Sequence, residues 1–301
     1  MRRLALIYVI VFLLFTLGCR KEIPFNSEVT TPKLVVNSLF ASDSSWAVHV
    51  SKSLSVIDQG NLDDIENATV VISTAAGDLV ETLAYNGNGN YIGTQIPQEG
   101  LNYRVDVAAP NYTAVYGEDV VPDVVNVQSV DTMTTVNGEE EILVAQITFK
   151  DPEGINNYYR FSVEMGYWNY WFDGAGILDS NYYEEMVWMQ LNDPSFEGTD
   201  NNTWSDIGIM SDLLFDGQTK TVDLPISMWL NGGLPFHNYR IEFIDVYFSN
   251  VSETTHFFNR SFQLYQQTQG NPFAQPVQVY SNITNGFGVF GGSDTEVYRI
   301  N

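Results

Sequence analysis

Alternation of apolar and polar residues is the dominant pattern in the first third of the chain. Residues 100–107 show it most clearly, because every second side chain from Leu101 to Val107 is apolar and those between them are polar. Successive side chains of a strand point to opposite faces, so this spacing is typical of a strand with one face in a core. Similar runs, separated by turn residues, occur at 34–39, 46–50, 68–73, 79–85 and 91–92. The pattern predicts that residues 33–122 form an N-terminal β-sandwich of the immunoglobulin-like or transthyretin-like kind.

The rest of the chain is again rich in predicted strands. One runs over 141–151 and is followed by Pro152-Glu153-Gly154. In such a turn Pro presets φ and Gly can adopt a positive φ, as a hairpin requires. Further strands are predicted at 158–164, 186–191, 219–224 and 239–248. We therefore expect residues 123–301 to form a second, C-terminal β-rich domain.

One helix is predicted in this second domain, over about residues 253–267. Ser252 precedes it and carries a side chain suited to capping the first N–H groups of a helix. Phe258, Phe262 and Tyr265 recur at i, i+4 and i+7, which is the spacing of an apolar face that packs against a core. The predicted fold class is therefore all-β, that is, mainly β, with two β-sandwich domains and one helix near the C-terminus.

The chain begins with a segment that resembles a targeting signal. Arg2 and Arg3 are followed by an uncharged apolar run up to residue 17, which is too short to span a bilayer comfortably. Shortly after this run stands Cys19, the single cysteine of the chain. A lone cysteine placed after a small residue at the end of such a run resembles the start of a bacterial lipoprotein precursor. Thr16 departs from that pattern, because such precursors usually carry Leu at this position.

The start of the chain therefore predicts a lipoprotein signal peptide at 1–18, an acylated Cys19 and a polar tether over 19–32. Acyl chains such as palmitate contribute about 0.8 kcal/mol for each buried methylene, so several of them together hold a protein stably on a membrane. We expect the lipid on Cys19 to attach the folded domains to an outer membrane. The alternatives are that Cys19 ends a membrane anchor or an ordinary signal peptide.

The charge balance argues against nucleic acid as a partner. The chain has 13 Lys and Arg against 37 Asp and Glu, a net charge of −24, whereas binding to phosphate groups needs a basic face. Removal of residues 1–18 takes away two arginines and no acid, so the mature protein is still more acidic. The single cysteine also excludes an intramolecular disulfide, a thiolate zinc cluster and an iron–sulfur site.

Residues that perform common catalytic chemistry are not arranged in recognisable motifs. His49, His237 and His256 are far apart and lack the spacing of metal ligands or of a catalytic triad. Asp212 and other acids recur without the Asp-x-Asp-x-Asp-Gly pattern of a calcium loop. We therefore predict no catalytic residue, no metal site and no cofactor, and we expect a protein that is not an enzyme.

An acidic and aromatic segment, residues 161–219, is the strongest candidate for a binding function. It holds no Lys or Arg, but 11 acids, 12 aromatic residues and four of the six tryptophans. Exposed Tyr and Trp offer a flat area with a polar edge, which suits a sugar ring or a protein partner. We expect the segment to form aromatic acidic loops that project from the second domain.

Four residues of this segment are the candidate ligand-binding or partner-binding residues: Tyr167, Trp168, Tyr170 and Trp171. In a strand, Tyr167 and Trp171 would lie on one face and Trp168 and Tyr170 on the other. The alternative to a binding role is that they fill the core. Because both faces cannot easily be exposed in a monomer, we expect at least one to meet a partner, with a glycan or a peptide as the ligand.

Four segments resemble a family of Bacteroidota outer-membrane lipoproteins that is defined by a domain of unknown function and often encoded beside TonB-dependent receptors. They are CRKEIPF at 19–25, KLVVNS at 33–38, ITFKDPEG at 147–154 with NYYR at 157–160, and GNPFAQPVQVYSNI at 270–283 with NGFGVFGG at 285–292. The resemblance implies an all-β architecture, an outer-membrane location that faces the cell surface, and a genomic neighbourhood suggestive of nutrient uptake. It supplies no catalytic residues.

Two functions follow as hypotheses from these observations. The first is a non-enzymatic, surface-exposed lipoprotein that is an accessory of a TonB-dependent transporter. The alternative is a stand-alone carbohydrate-binding or adhesion lipoprotein, which would use the same aromatic residues. A hydrolase with carboxylate chemistry ranks last, because paired acids are common in so acidic a chain.

Overall fold

The computed structural model describes residues 31–55, 63–137, 140–172, 174, 176, 178–198, 203–226, 239–269, 271 and 273–300. The predicted signal peptide, Cys19 and all but the last two residues of the predicted tether lie outside the described residues.

Most of the described chain is in β-strands. Those of the first 120 residues are β1 (Leu34–Ala41), β2 (Ala47–Lys52), β3 (Thr69–Thr74), β4 (Leu79–Thr82), β5 (Ala84–Tyr85), β6 (Asn90–Ile92), β7 (Asn102–Ala108) and β8 (Val115–Val120). The others are β9 (Asn126–Asn137), β10 (Glu140–Lys150), β11 (Tyr158–Phe172), β12 (Leu178–Val187), β13 (Met189–Leu191), β14 (Thr203–Ser205), β15 (Gly208–Ser211), β16 (Thr219–Ile226), β17 (Tyr239–Val251) and β18 (Phe287–Ile300). A turn of 3-10 helix spans Asp212–Leu214, and helix α1 spans Glu253–Thr268. The predicted mainly-β class with one helix near the C-terminus is confirmed.

The largest sheet joins strands from both ends of the chain. Its order is β12-β11-β17-β18-β1-β2-β6-β5, and β15 also pairs with β11. In its middle, β18 pairs in parallel with β1 and antiparallel with β17. Two smaller sheets have the orders β14-β13-β16-β10-β9 and β4-β3-β7-β8. The boundaries predicted for the two domains stay predictions.

The first hydrophobic cluster lies between β1, β2, β3 and β7 and also takes residues from near the C-terminus. The Trp46 ring meets Tyr103 edge-on at 4.9 Å, and the ring of Phe40 lies 4.4 Å from that of Phe290. All four side chains are buried. Full burial of one such side chain stabilises the fold by about 1.5–3 kcal/mol. The last strand is thus part of the core that the first strands build.

The glycine-rich motif at 285–292 owes its composition to the contact between β18 and β1. Gly288 has a φ of +107°, and a Cβ there would lie 2.0 Å from the carbonyl oxygen of Val36. Val289 and Phe290 are buried, as the alternation of glycine with bulky residues suggests. Phe287, which the same pattern places in the core, is exposed instead, and the ammonium of Lys33 lies 5.3 Å from its ring centre.

A second cluster lies between β11 and β17 of the large sheet and β10 and β16 of the five-stranded sheet. Phe149, Tyr159 and Phe248 form its aromatic centre, with ring centres 4.7 to 5.5 Å apart. All three are buried. The first half of strand β11 packs in this cluster, and its second half carries the four aromatic candidate residues.

Helix α1 begins where the sequence predicts and buries a different face from the one expected. The hydroxyl of Ser252 accepts a hydrogen bond from the N–H of Thr255 at 3.1 Å, which confirms the predicted cap. The first turn is buried, and the Thr255 hydroxyl donates to the carbonyl of Gly292. Phe262 and Tyr265 are exposed, so their assignment to a core-facing stripe was wrong. The helix meets the sheet through its N-terminal end, where Thr254, Thr255 and His256 are buried. No helix among the described residues is long and apolar enough to cross a membrane.

Candidate functional site

The aromatic run at 167–172 lies in a long antiparallel hairpin formed by β11 and β12. The two strands pair from Val163 with Val187 to Phe172 with Leu178. We expected loops here, and the structure shows strands instead. The reason is that aromatic and β-branched residues favour a pleated surface, and β17 supplies a second hydrogen-bonded neighbour for β11.

One face of the hairpin packs into the second hydrophobic cluster. Tyr167 is fully buried there, and its ring stacks on that of Tyr183 at 5.6 Å. Its hydroxyl donates to a carboxylate oxygen of Glu185 at 2.6 Å. Asn169 is also buried, whereas Trp171 is half-buried. The structure thus places Tyr167 in the core and Trp171 near the end of β11.

The opposite face of the hairpin is largely exposed, and we call it the hairpin face. Residues directly opposite in an antiparallel pair share a face, so Trp168 stands beside Tyr182 and Phe172 beside Leu178. The apolar and aromatic residues of the hairpin face are Trp168, Tyr170, Phe172, Leu178, Tyr182 and Met186, and Glu164, Ser180 and Glu184 share the face with them. The structure therefore brings the candidates Trp168 and Tyr170 together and separates them from Tyr167 and Trp171.

The hairpin face is apolar toward its tip and lies at one end of the strand order of the largest sheet. Phe172 is 72% exposed and Leu178 57% exposed, and the half-buried ring of Trp168 packs on Tyr182 at 5.3 Å. Beside it, Phe243 of β17 covers Gly166, where a Cβ would lie 2.2 Å from its ring. A wide aromatic surface of this kind, rimmed by polar groups, is typical of an interaction site.

Cations approach the acidic segment from other parts of the chain. The ammonium of Lys220 bonds the carboxylate of Asp193 at 2.7 Å, and beside the hairpin the guanidinium of Arg299 lies 3.9 Å from the ring centre of Phe243. Tyr247 donates its hydroxyl to Glu164 at 2.6 Å, and this hydrogen bond, with burial, raises the pKa of Tyr247 to about 12. Residues 161–219 contain no Lys or Arg themselves, but basic side chains from other parts of the chain lie beside them.

A second candidate site is a cleft of about 560 Å³ beside the N-terminal half of α1. Glu197 stands in it between two basic side chains, with an oxygen 3.4 Å from His256 Nε2 and 3.3 Å from an Arg260 nitrogen. Ser211 donates its hydroxyl to the other oxygen of Glu197 at 2.5 Å. The ring of Tyr158 lies 4.6 Å from the ring of His256 and also lines the cleft.

The protonation states in this cleft follow from its burial. Burial lowers the pKa of His256 and outweighs the opposing effect of Glu197. Burial also raises the pKa of Tyr158 to about 12, helped by the nearby Glu253. For Glu197, burial is outweighed by the Ser211 hydrogen bond and by His256 and Arg260, so that its pKa is lowered. The cleft therefore presents a neutral imidazole, a neutral phenol and an ionised carboxylate near neutral pH.

No sequence pattern points to this cleft. No other histidine stands at a ligand-like spacing from His256, and Glu197 precedes it by more than fifty residues. The two meet because α1 follows β17, while the segment with Glu197 precedes β15, and both strands pair with β11. Only the strand order brings them together.

A third group, the acidic cluster, consists of Asp151, Asp212 and Asp216. One carboxylate oxygen from each lies within 4.8 Å of the others, which is close enough for all three to hold one metal ion. Asp151 and Asp212 are buried, and Asp216 is exposed. In the sequence Asp212 is one of many scattered acids, because Asp151 is some sixty residues away and Asp216 forms no calcium-loop motif with it.

Comparison with known protein families places almost the whole chain in one family. Residues 20–299 match the model of a domain of unknown function, DUF4249. A search of the curated proteins finds no match to the chain.

Proposed function

The chain belongs to the DUF4249 family, which is defined by a domain of unknown function, and we propose that it is a Bacteroidota outer-membrane lipoprotein that assists a TonB-dependent transporter in nutrient uptake. In this proposal the protein is lipid-anchored, faces the cell surface and acts by binding, without catalysing a reaction. The lipid on Cys19 attaches it to the membrane, and the tether up to residue 32 gives the folded part room to reach a partner.

The hairpin face is the observation that carries this proposal. It combines exposed aromatic and aliphatic side chains, among them Phe172 and Leu178, at the edge of the largest sheet. Aromatic residues and Met are enriched where proteins bind one another, and strongly apolar surface of this extent is costly to leave in water. A membrane-embedded transporter with an extracellular rim fits as the partner, because an acylated Cys19 would hold both proteins in the same membrane.

Recovery of the full-length protein from its own outer membranes tests the proposal. A C-terminal affinity tag and a mild detergent should recover a TonB-dependent transporter in stoichiometric amount, identified by mass spectrometry. Leu178→Ser should reduce the recovered transporter at least tenfold, because it places a hydroxyl in the exposed Phe172–Leu178 pair at the tip of the apolar face. Cys19→Ser should move the protein to the soluble fraction.

A matched control is available on a different sheet. Leu79 of β4 is 68% exposed, and Leu79→Ser makes the same chemical change away from the hairpin face. This variant should recover the transporter as the wild type does. Recovery of the lipoprotein without any transporter, or equal loss in the two leucine variants, would contradict the proposal.

The alternative function, a stand-alone carbohydrate-binding or adhesion lipoprotein, is favoured by one contact. The rings of Trp168 and Tyr182, tilted by 49°, provide flat apolar area next to the polar edge formed by Glu184, which accepts the Tyr182 hydroxyl at 2.8 Å. Sugar rings stack on such platforms. A glycan array in which Trp168→Ala removes binding, together with unchanged recovery of the transporter, would favour this alternative.

A further inference from the structure

The acidic cluster joins two loops at one end of the second hydrophobic cluster. Asp151 directly follows β10, whereas Asp212 and Asp216 belong to the connection between β15 and β16. Their ligand atoms lie within 4.8 Å of one another, although Asp151 and Asp212 are separated by some sixty residues. The fold therefore assembles three carboxylates that the sequence keeps apart.

Backbone N–H groups hold each carboxylate in place. Gly217 N donates to Asp151 at 2.7 Å, Asn157 N to Asp212 at 2.8 Å, and Gly154 N to Asp216 at 2.8 Å. Each loop thus supplies the donors for acids of the other. The carboxylates are positioned before any ion arrives, which reduces the entropy that binding must offset.

The negative charge of the cluster is not balanced by a basic side chain. Among the described residues, none of the ion pairs includes Asp151, Asp212 or Asp216. The nearby ammonium of Lys150 donates to the carbonyl oxygen of Gly217 instead of to a carboxylate. Like charges at this distance repel one another unless a proton or a cation lies between them.

Asn157 supplies an independent observation. Its side chain is 94% buried, and its Oδ1 atom is a buried oxygen with no hydrogen-bond partner. The residue is fixed beside the cluster by two backbone bonds with Asp212, since Asn157 N donates to the carboxylate and Asp212 N to the carbonyl of Asn157. Buried polar atoms in folded proteins almost always have a partner, so an unpaired amide oxygen on a residue bonded twice to Asp212 indicates a missing ligand for it.

We propose that Asp151, Asp212 and Asp216, with the side-chain oxygen of Asn157, form a calcium-binding site. Carboxylate and amide oxygens are the ligands of hard cations, and the cluster contains no His or Cys that would favour zinc or copper. Ca²⁺ accepts irregular sets of oxygens at 2.3–2.6 Å, whereas Mg²⁺ requires near-octahedral geometry and usually keeps several waters. On the inner side of the cluster the Tyr159 hydroxyl donates to an oxygen of Asp151.

A bound calcium ion would tie the β10–β11 turn to the connection between β15 and β16. The same connection contributes Asp212 to the lining of the cleft beside α1. The ion would therefore fix one wall of that cleft as well as the base of β11. This role is independent of the function proposed for the hairpin face.

Calcium titration of the purified full-length protein tests this site. After treatment with EGTA, isothermal titration calorimetry should show one Ca²⁺ bound per chain, with a dissociation constant on the order of 0.1–1 mM, as in extracellular calcium modules. Mg²⁺ should bind at least tenfold more weakly. Ca²⁺ should also raise the melting temperature, because an ion that binds only the folded state stabilises it.

Asp216→Asn is the matched variant, because Asp216 is exposed and the change keeps its shape. It should weaken Ca²⁺ binding at least tenfold, whereas Asp206→Asn, which removes an exposed acid outside the cluster, should leave binding unchanged. Circular dichroism verifies that both variants fold. Absence of heat and of any melting shift in the wild type up to 10 mM Ca²⁺ would overturn the proposal without recourse to a variant. Equal binding by wild type and Asp216→Asn, or equal affinity for Mg²⁺, would overturn it too.

Discussion

Asp119 is the residue through which pH acts most directly on this fold. Its carboxylate accepts hydrogen bonds from the Ser252 hydroxyl and from Gly292 N, and thereby joins β8, the start of α1 and β18. Burial raises its pKa from 3.8 to about 6 and outweighs these hydrogen bonds. A carboxyl group whose pKa is raised by folding contributes most stability while it is protonated in both states, below about pH 4. That contribution is lost as pH rises through about 6.

Asp119→Asn should therefore flatten the pH dependence of stability. The free energy of unfolding of the wild type, measured relative to the variant, should fall by about 2 kcal/mol between pH 4 and pH 7. Urea denaturation at a series of pH values measures this difference. His256 has the opposite slope, because its lowered pKa makes protonation destabilising, and it is present in both proteins and cancels. A constant difference across the range would contradict the assignment.

At position 288 the neighbouring backbone leaves no room for any side chain, and the residue there is glycine. Gly288→Ala should lower the free energy of unfolding by about 3 kcal/mol or more, because φ is +107° and the added Cβ would lie 2.0 Å from the carbonyl oxygen of Val36. Gly77 is the matched control, since its φ is +94° but no atom lies within 4 Å of an added Cβ. Gly77→Ala should cost about 1 kcal/mol. Equal losses in urea denaturation would mean that conformation alone, and not the contact with β1, explains the glycine.

At the scale of elements, helix α1 buries its first turn and leaves the aromatic residues of its second half exposed. Phe262→Ala should cost less than about 1 kcal/mol, because the side chain is 39% exposed and packs mainly on its own helix, against Phe258 at 5.8 Å. Phe161→Ala, near the start of β11, should cost about 3–5 kcal/mol, because that ring is fully buried. Chemical denaturation compares the two. If Phe262→Ala lowered the free energy of unfolding as much as Phe161→Ala, the aromatic stripe of α1 would have to pack in a core.

Local patterns predicted the elements better than they predicted what the elements contact. The alternation at 100–107 and the cap at Ser252 each depend on neighbours in sequence, and the structure has both β7 and α1 there. The aromatic run at 167–172 was expected in loops, although its composition favours a strand. Which of its faces is buried depends on β17 and β12, and periodicity cannot show this.

The residues that come together in the candidate sites could be predicted from the sequence even less well than the elements. Trp168 and Tyr170 were found by composition, and pairing with β12 adds Leu178 and Tyr182 to the same face. The cleft with His256 and the acidic cluster with Asp212 each combine residues from segments far apart in the chain. They become neighbours only through strand order, since β15 and β17 both pair with β11 although other strands separate them from it in the sequence.

For the molecule as a whole, β18 is the element that connects the two hydrophobic clusters. It pairs with β1 on one side and β17 on the other, and Phe290 fills the first cluster while Tyr298 packs against the second. A strand shared in this way makes the stability of each part depend on the other. The described chain should therefore unfold as one cooperative unit, although it holds two cores.

Phe290→Ala tests this coupling. The substitution removes a fully buried ring from the first cluster and should cost about 3–5 kcal/mol. If the two clusters unfold together, hydrogen exchange in low urea should accelerate by the same factor at amides of β7 and of the distant β10. Val297→Ala, at an exposed position of the same strand, should change neither. Acceleration confined to β7 would instead show that the first cluster opens alone and that β18 does not transmit its stability, because the antiparallel ladder to β17 would then persist without the parallel ladder to β1.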